Sequence, residues 1–222
     1  MRCMTKQKTV VLAVVIGGLI ATGCARLPYQ TTVLYQGPRA AVVLQQEVAP
    51  ARYSHPAQLR ADELTSILRG FSIREQQRLP LRWFAEERPP DRLFHEDELL
   101  VVTPLLAEGL QKAGPEERVH FSLFAPGQNR SESRTVTSGW VAVRGSYFYL
   151  TVEYLHAEVP IRSLDAYYPN NPSLPPLPGA YLLFFEPGRY WVIDRGGVRA
   201  LEFREFLKGA PLVVPRPGQA RP

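Results

Sequence analysis

Reactive side chains are few in this 222-residue chain, and their spacing decides what each could do. Histidines stand at His55, His95, His120 and His156. A zinc site legible in sequence wants close, regular spacing such as HExxH, where two ligands one helical turn apart point the same way. FHEDELL (94–100) offers His95-Glu96 but no second histidine a turn later, so no metal centre is expected and His95 reads as the residue before a helix. His120 and His156 fall on polar positions of strand-like segments, where a histidine is expected to face solvent. Ser138 lies within a strand, without the G-x-S-x-G elbow that would expose a nucleophile. Glu96, Asp97 and Glu98 form an acidic run, but the positive end of a helix dipole accounts for them. No Walker or G-x-G-x-x-G pattern occurs, and the glycines after Asp194 read as turn formers. No catalytic residue and no cofactor are therefore expected.

The remaining reactive type is the thiol, present only at Cys3 and Cys24. Thr9 to Gly23 carries no charge, and Arg2, Lys6 and Lys8 precede it. Crossing the hydrocarbon takes about 20 apolar residues, whereas a secretory core takes roughly 7–15. This run, with its Gly17-Gly18 pair, has the shorter length. Ala21-Thr22-Gly23 then places small side chains directly before Cys24, as a signal-peptidase cleft requires.

Residues 1–25 thus resemble a bacterial lipoprotein signal, with Ala21-Thr22-Gly23-Cys24 as its lipobox. Ala21 departs from the leucine that this class prefers three residues before the cysteine. The resemblance implies removal of residues 1–23, with Gly23 the last residue cut and Cys24 the lipidated first residue of the mature chain. The implied partner is the membrane, through acyl chains on Cys24. A single chain anchors marginally, and two or more make attachment lasting. Ala25 is not the Asp that favours inner-membrane retention in Gram-negative members, so the implied location is the outer membrane, facing the periplasm.

Loss of Arg2, Lys6 and Lys8 lowers the formal net charge from +5 to about +2. The high pI is therefore no argument for nucleic acid, which is not an expected partner. With Cys3 removed and Cys24 acylated, the folded part holds no disulfide, thiolate metal site or cysteine nucleophile. Its stability must come from an ordinary core, which roughly 200 residues can build.

Residues 24–39 read as a tether, punctuated by Pro28, Gly37 and Pro38. Residues 40–208 read as one α+β domain. A first strand is expected over 40–48. Leu59, Leu64, Ile67 and Leu68 at helical spacing predict a helix over 57–70, followed by an alternating strand from Phe71. Residues 78–93 are proline-punctuated and irregular. A longer helix over 95–114 opens acidic and closes at Lys112 and Gly114, with Pro104 expected to kink or divide it. Strands are expected over 119–125, 135–145, 146–155, 180–186, 190–194 and 198–203. Their short connections imply a meander of hairpins, with two or three helices on one face. In SYFYLTVEY, alternation puts Phe148, Leu150, Val152 and Tyr154 on one face and Tyr147, Tyr149, Thr151 and Glu153 on the other. Residues 209–222 have the composition of a frayed tail.

Two features are candidates for recognition. The loop 160–179 contains PSLPPLP, and Tyr167, Tyr168, Pro175, Pro176 and Pro178 would offer a polyproline II contact surface to an envelope protein. The second is the aromatic crowd of Trp140, Tyr147, Phe148, Tyr149, Tyr154, Tyr181, Tyr190 and Trp191, a stacking surface for a glycan if exposed. The expected function is a non-catalytic structural or interaction module in the envelope. The alternative is a small hydrophobic-ligand or lipid carrier. An envelope hydrolase using Ser138 with His120 or His156 stands last.

Overall fold

A computed structural model describes residues 31–46, 52–75, 89–129, 131–161 and 181–209. In chain order the elements are β1 (Thr31–Gln36), β2 (Ala40–Gln46), α1 (Ala61–Arg69), β3 (Phe71–Glu75), β4 (Asp91–Arg92), α2 (Glu96–Lys112), β5 (Glu117–Pro126), β6 (Ser133–Arg144), β7 (Tyr147–Pro160), β8 (Tyr181–Phe185), β9 (Trp191–Ile193), β10 (Arg199–Glu202) and α3 (Phe203–Gly209). Strands β1-β2-β5-β6-β7-β10-β9 form a seven-stranded sheet and β4-β3-β8 a three-stranded one. Every pairing is antiparallel. The fold is α+β, as the pattern of the sequence implied.

One core joins the layers. Helix α2 presents Leu99, Val102, Leu106 and Leu110, at helical spacing, to Val42, Leu44, Val119 and Phe121 of the large sheet. Leu64, Ile67 and Leu68 of α1, and Phe203 and Phe206 of α3, complete the same cluster. The Glu63 carboxylate accepts from the Arg60 N–H at 2.8 Å and so starts α1 at Ala61, later than Leu59 suggested. Pro104 does not divide α2, which runs unbroken over Glu96–Lys112. The proline lies on the exposed side, and the carbonyl it orphans belongs to Leu100, a residue 79% exposed.

Three expectations change. Thr31–Gln36, within the supposed tether, is the edge strand β1, paired to β2 through backbone bonds. Apart from the half-buried Leu34 it shows exposed side chains, so it carries no alternation to read. Strands β8 and β9 are not hairpin neighbours: β8 pairs with β3 in the small sheet and β9 with β10 in the large one. A 3₁₀ turn at Gly188–Tyr190 carries the chain across between them. Finally, Tyr154 does not share a face with Val152. Gly139 pairs with Val152 but Ser138 pairs with Tyr154, so Glu153 is an extra residue and the alternation flips there. A second slip follows between Ser138 and Val136, which pairs with Ala157.

The β6–β7 hairpin turns at Gly145-Ser146, with Gly145 at φ +62°. At the first bulge, a Cβ on Gly139 would run into the Thr151 carbonyl, which is backbone and cannot swing aside. Gly139→Ala is expected to destabilise the protein by about 1–3 kcal/mol. In urea unfolding this lowers the midpoint at unchanged slope; an unaltered midpoint would show that the two strands part freely.

Candidate functional site

The densest cluster of titratable side chains sits where the start of α2 meets the second bulge of β7. His95 is the N-cap of α2, and Glu98, three residues on, folds back so that its carboxylate accepts from the His95 N–H at 2.8 Å. That bond fixes one carboxylate oxygen. The other faces His156 Nε2 at 3.2 Å. His95 Nδ1 lies 3.6 Å from the first oxygen, and the His95 and His156 rings stack with centroids 4.9 Å apart at 14°. The Glu98 side chain is only 9% exposed, against 34% for His156 and 65% for His95. A buried carboxylate is thus roofed by two imidazoles that reach water. The Glu98 hydrogen bond raises the His156 pKa against the opposing effect of burial.

His156 has φ +45°, the left-handed region that a non-glycine residue rarely occupies. Its N–H donates to the Thr137 hydroxyl at 3.2 Å across the bulge. The slipped register turns His156 to the helix side of the sheet, not to open solvent as its polar position implied. The three ligand atoms of His95, Glu98 and His156 all lie within 4.8 Å of one another, an arrangement that could hold a metal ion.

The neighbouring carboxylates are bound separately. Glu96 takes a two-pronged contact from Arg69 at 2.9 and 2.7 Å, which lowers the Glu96 pKa and raises that of Arg69. Asp97 meets Arg39 at 3.1 Å in an exposed pair, worth at most about 1 kcal/mol. The acidic run is thus three carboxylates with three different partners, beyond what the dipole alone would require.

The residues of the hydrolase reading are not assembled into a triad. Ser138 is fully buried and its hydroxyl bonds to nothing among the described residues. His120 Nε2 meets Glu153 at 2.9 Å, on the face away from α2, and this bond lowers the Glu153 pKa. His156 is held by Glu98. The aromatic crowd is largely structural: Phe148, Tyr149 and Tyr154 are buried, Trp191 packs edge-on to Phe71, and Arg118 covers Trp140. Asp194 is a turn residue, accepting from the Gly196 and Val198 N–H groups and from the Tyr149 hydroxyl at 2.6 Å. Burial and that bond push the Tyr149 pKa to about 12.

Two open grooves border the small sheet. One, of about 580 Å³, has Phe71 and Phe206 as its floor and Arg69, Arg92 and Arg189 on its walls. The other, of about 500 Å³, runs between the two sheets, lined by Leu150, Val152, Leu182, Phe184 and Trp191. The indole N–H of Trp191 is buried without a partner among the described residues. Gly23 and Cys24, and Tyr167, Tyr168, Pro175, Pro176 and Pro178 of the proline-rich loop, lie outside the described residues. No protein-family model, no curated protein and no solved structure matches the chain.

His55 plays a different part. Its Nε2 accepts from the Val143 N–H at 3.0 Å, so its proton must sit on Nδ1, which donates to the Glu117 carbonyl at 2.8 Å. Both bonds require the neutral ring, and burial lowers its pKa below the ordinary 6.5 despite the Glu117 and Gly114 carbonyls. A depressed histidine contributes stability that is whole above the unfolded value and is lost as pH falls, because the unfolded chain takes up the proton first. The wild type is therefore expected to lose stability as pH drops below 6.5. His55→Phe leaves two backbone groups unpaired and should cost about 3 kcal/mol at neutral pH, while flattening the acid slope. Denaturant titrations at several pH values check both, and an unchanged slope would exclude His55 as its source.

Proposed function

We propose that the chain is a bacterial envelope lipoprotein, attached through acyl chains on Cys24, whose α+β domain is a non-catalytic structural or interaction module facing the periplasm. The observation that carries this reading is Ala21-Thr22-Gly23-Cys24 placed directly behind an uncharged run of signal length. Ala25 favours the outer membrane as the place of attachment. The two cysteines are spent within the first 24 residues, so the domain depends on no disulfide. No helix among the described residues is long and apolar enough to cross a membrane.

The module reading draws support from how the polar side chains are used. His120 and Glu153, His156 and Glu98, and Asp194 and Tyr149 are matched within the domain. Ser138 is sealed away from solvent. The partner surface proposed is the proline-rich loop around Tyr167, Tyr168, Pro175, Pro176 and Pro178. A second reading, a hydrophobic-ligand carrier, is favoured by the groove of about 500 Å³ between the sheets. That volume falls within the range of small-molecule sites, and its lining includes Leu150, Val152 and Trp191.

Cys24→Ser should move the protein from the membrane pellet to the soluble fraction or leave residues 1–23 uncut. Mass spectrometry of the wild-type N-terminus should show an acylated Cys24. Equal membrane retention of Cys24→Ser with residues 1–23 removed would sink the anchor. Deleting 160–179 should reduce partner recovery in a pull-down, and undiminished recovery would remove the loop from the reading. For the carrier, organic extracts of the purified protein should contain a stoichiometric lipid, and an empty extract would count against it.

A further inference from the structure

We propose that His95, Glu98 and His156 form a three-ligand site for a divalent first-row transition ion, with zinc the ion its donors suit best. Two imidazoles and one carboxylate, with a further position left to water, are a recognised zinc donor set. Nitrogen donors also favour zinc over the oxygen-seeking magnesium and calcium.

The spacing is close to what coordination needs. Metal–ligand bonds of about 2.0–2.1 Å in a tetrahedron set neighbouring ligand atoms about 3.3 Å apart. His156 Nε2 and one Glu98 oxygen stand at 3.2 Å, and His95 Nδ1 lies 3.6 Å from the other oxygen. With one donor atom from each residue all three fall within 4.8 Å, so the set must draw together around an ion. The rings are nearly parallel, so their lone pairs lie in separate planes and cannot both aim at one ion as they stand. One adjustment resolves this: His95 turns about its Cβ–Cγ bond. With 65% of that side chain exposed, the turn gives up the stacking contact and the ring's capping contact with the Glu98 N–H, and leaves the rest of the site in place.

The rest of the site is already held. His95 and Glu98 are fixed to each other across the first turn of α2, and the His95 N–H holds the carboxylate from behind. His156 is kept in its left-handed conformation by the bulge and by Thr137. Such backbone strain is retained where the surroundings over-determine it. Electrostatics also permit a cation here. The helix dipole places about +0.5 charge at this end, but Glu98 brings a full negative charge with no arginine or lysine partner among the described contacts. The ion would join the start of α2 to β7.

The test uses the full chain in detergent, purified without a histidine tag, with cysteines alkylated and metals stripped by a chelator. Equilibrium dialysis against Zn²⁺, with metal counted by mass spectrometry, should find one zinc per chain. His95→Ala and His156→Asn should each weaken binding roughly tenfold or more. His95 is a surface ring, and asparagine tolerates the left-handed backbone, so both variants should fold without zinc, His156→Asn melting somewhat below the metal-free wild type because it loses the bond to Glu98. Added zinc should raise the Tm of the wild type and of neither variant. Absence of stoichiometric zinc would overturn the proposal, as would both variants binding zinc as tightly as the wild type.

Discussion

Helix α2 lies against the large sheet at van der Waals distance, and most of the described structure is arranged by that contact. Leu99, Val102, Leu106 and Leu110 are all buried, each worth roughly 1.5–3 kcal/mol if fully removed from water. Gly109 lets the helix come close, since a Cβ there would stand 2.6 Å from a Val119 methyl. With the helix axis pinned in this way, its two ends fall at fixed places on the sheet. The end that begins with His95 falls on the bulged part of β7. The end that closes near Ala113 falls on the segment 53–57.

The two ends are secured by different chemistry. At the C-terminal end, Tyr53 N–H donates to the Pro115 carbonyl, Ala57 N–H to that of Leu110, and the neutral His55 ring bridges β5 and β6. These are uncharged bonds to backbone, partly or wholly buried, and indifferent to salt. At the N-terminal end the link joins the Glu98 carboxylate to a half-exposed His156, whose pKa that carboxylate raises, and it becomes ionic when the ring is protonated. One histidine is used as a neutral ring, and the other is held by its carboxylate toward the protonated form. The same residue type is driven in opposite directions by burial in one place and by a carboxylate in the other.

The amphipathic periods of α1 and α2, the hairpin at Gly145 and the α+β class were legible in the sequence because each is a local pattern. Strand β1 was not, since Leu34 alone among its side chains packs toward the core and its hydrogen bonds come from β2. The β8–β9 connection looked like a hairpin because loop length carries no information about which sheet receives the next strand. The His–Glu corner was hidden for a related reason. Two of its members are three residues apart, but the third lies 58 residues beyond Glu98. Two slips of register, not alternation, decide which way that third side chain points. The one advance signal was that His95 and Glu98 stand in N-cap and N3 positions, and that signal alone speaks of capping. For residues 1–25 the position is reversed: the proposed address rests on sequence alone, since the described structure begins at residue 31.

If the contact of α2 with β7 organises this end of the protein, Glu98 and His156 must act on stability as a pair. A double-mutant cycle on metal-free protein measures this directly, with Glu98→Gln, His156→Asn and the combined variant unfolded in urea at a pH below the raised His156 pKa. The account predicts a coupling on the order of 1 kcal/mol, kept modest by the partial exposure of His156. Single-variant effects that simply add would mean that the two side chains are neighbours without being a link, and would contradict it.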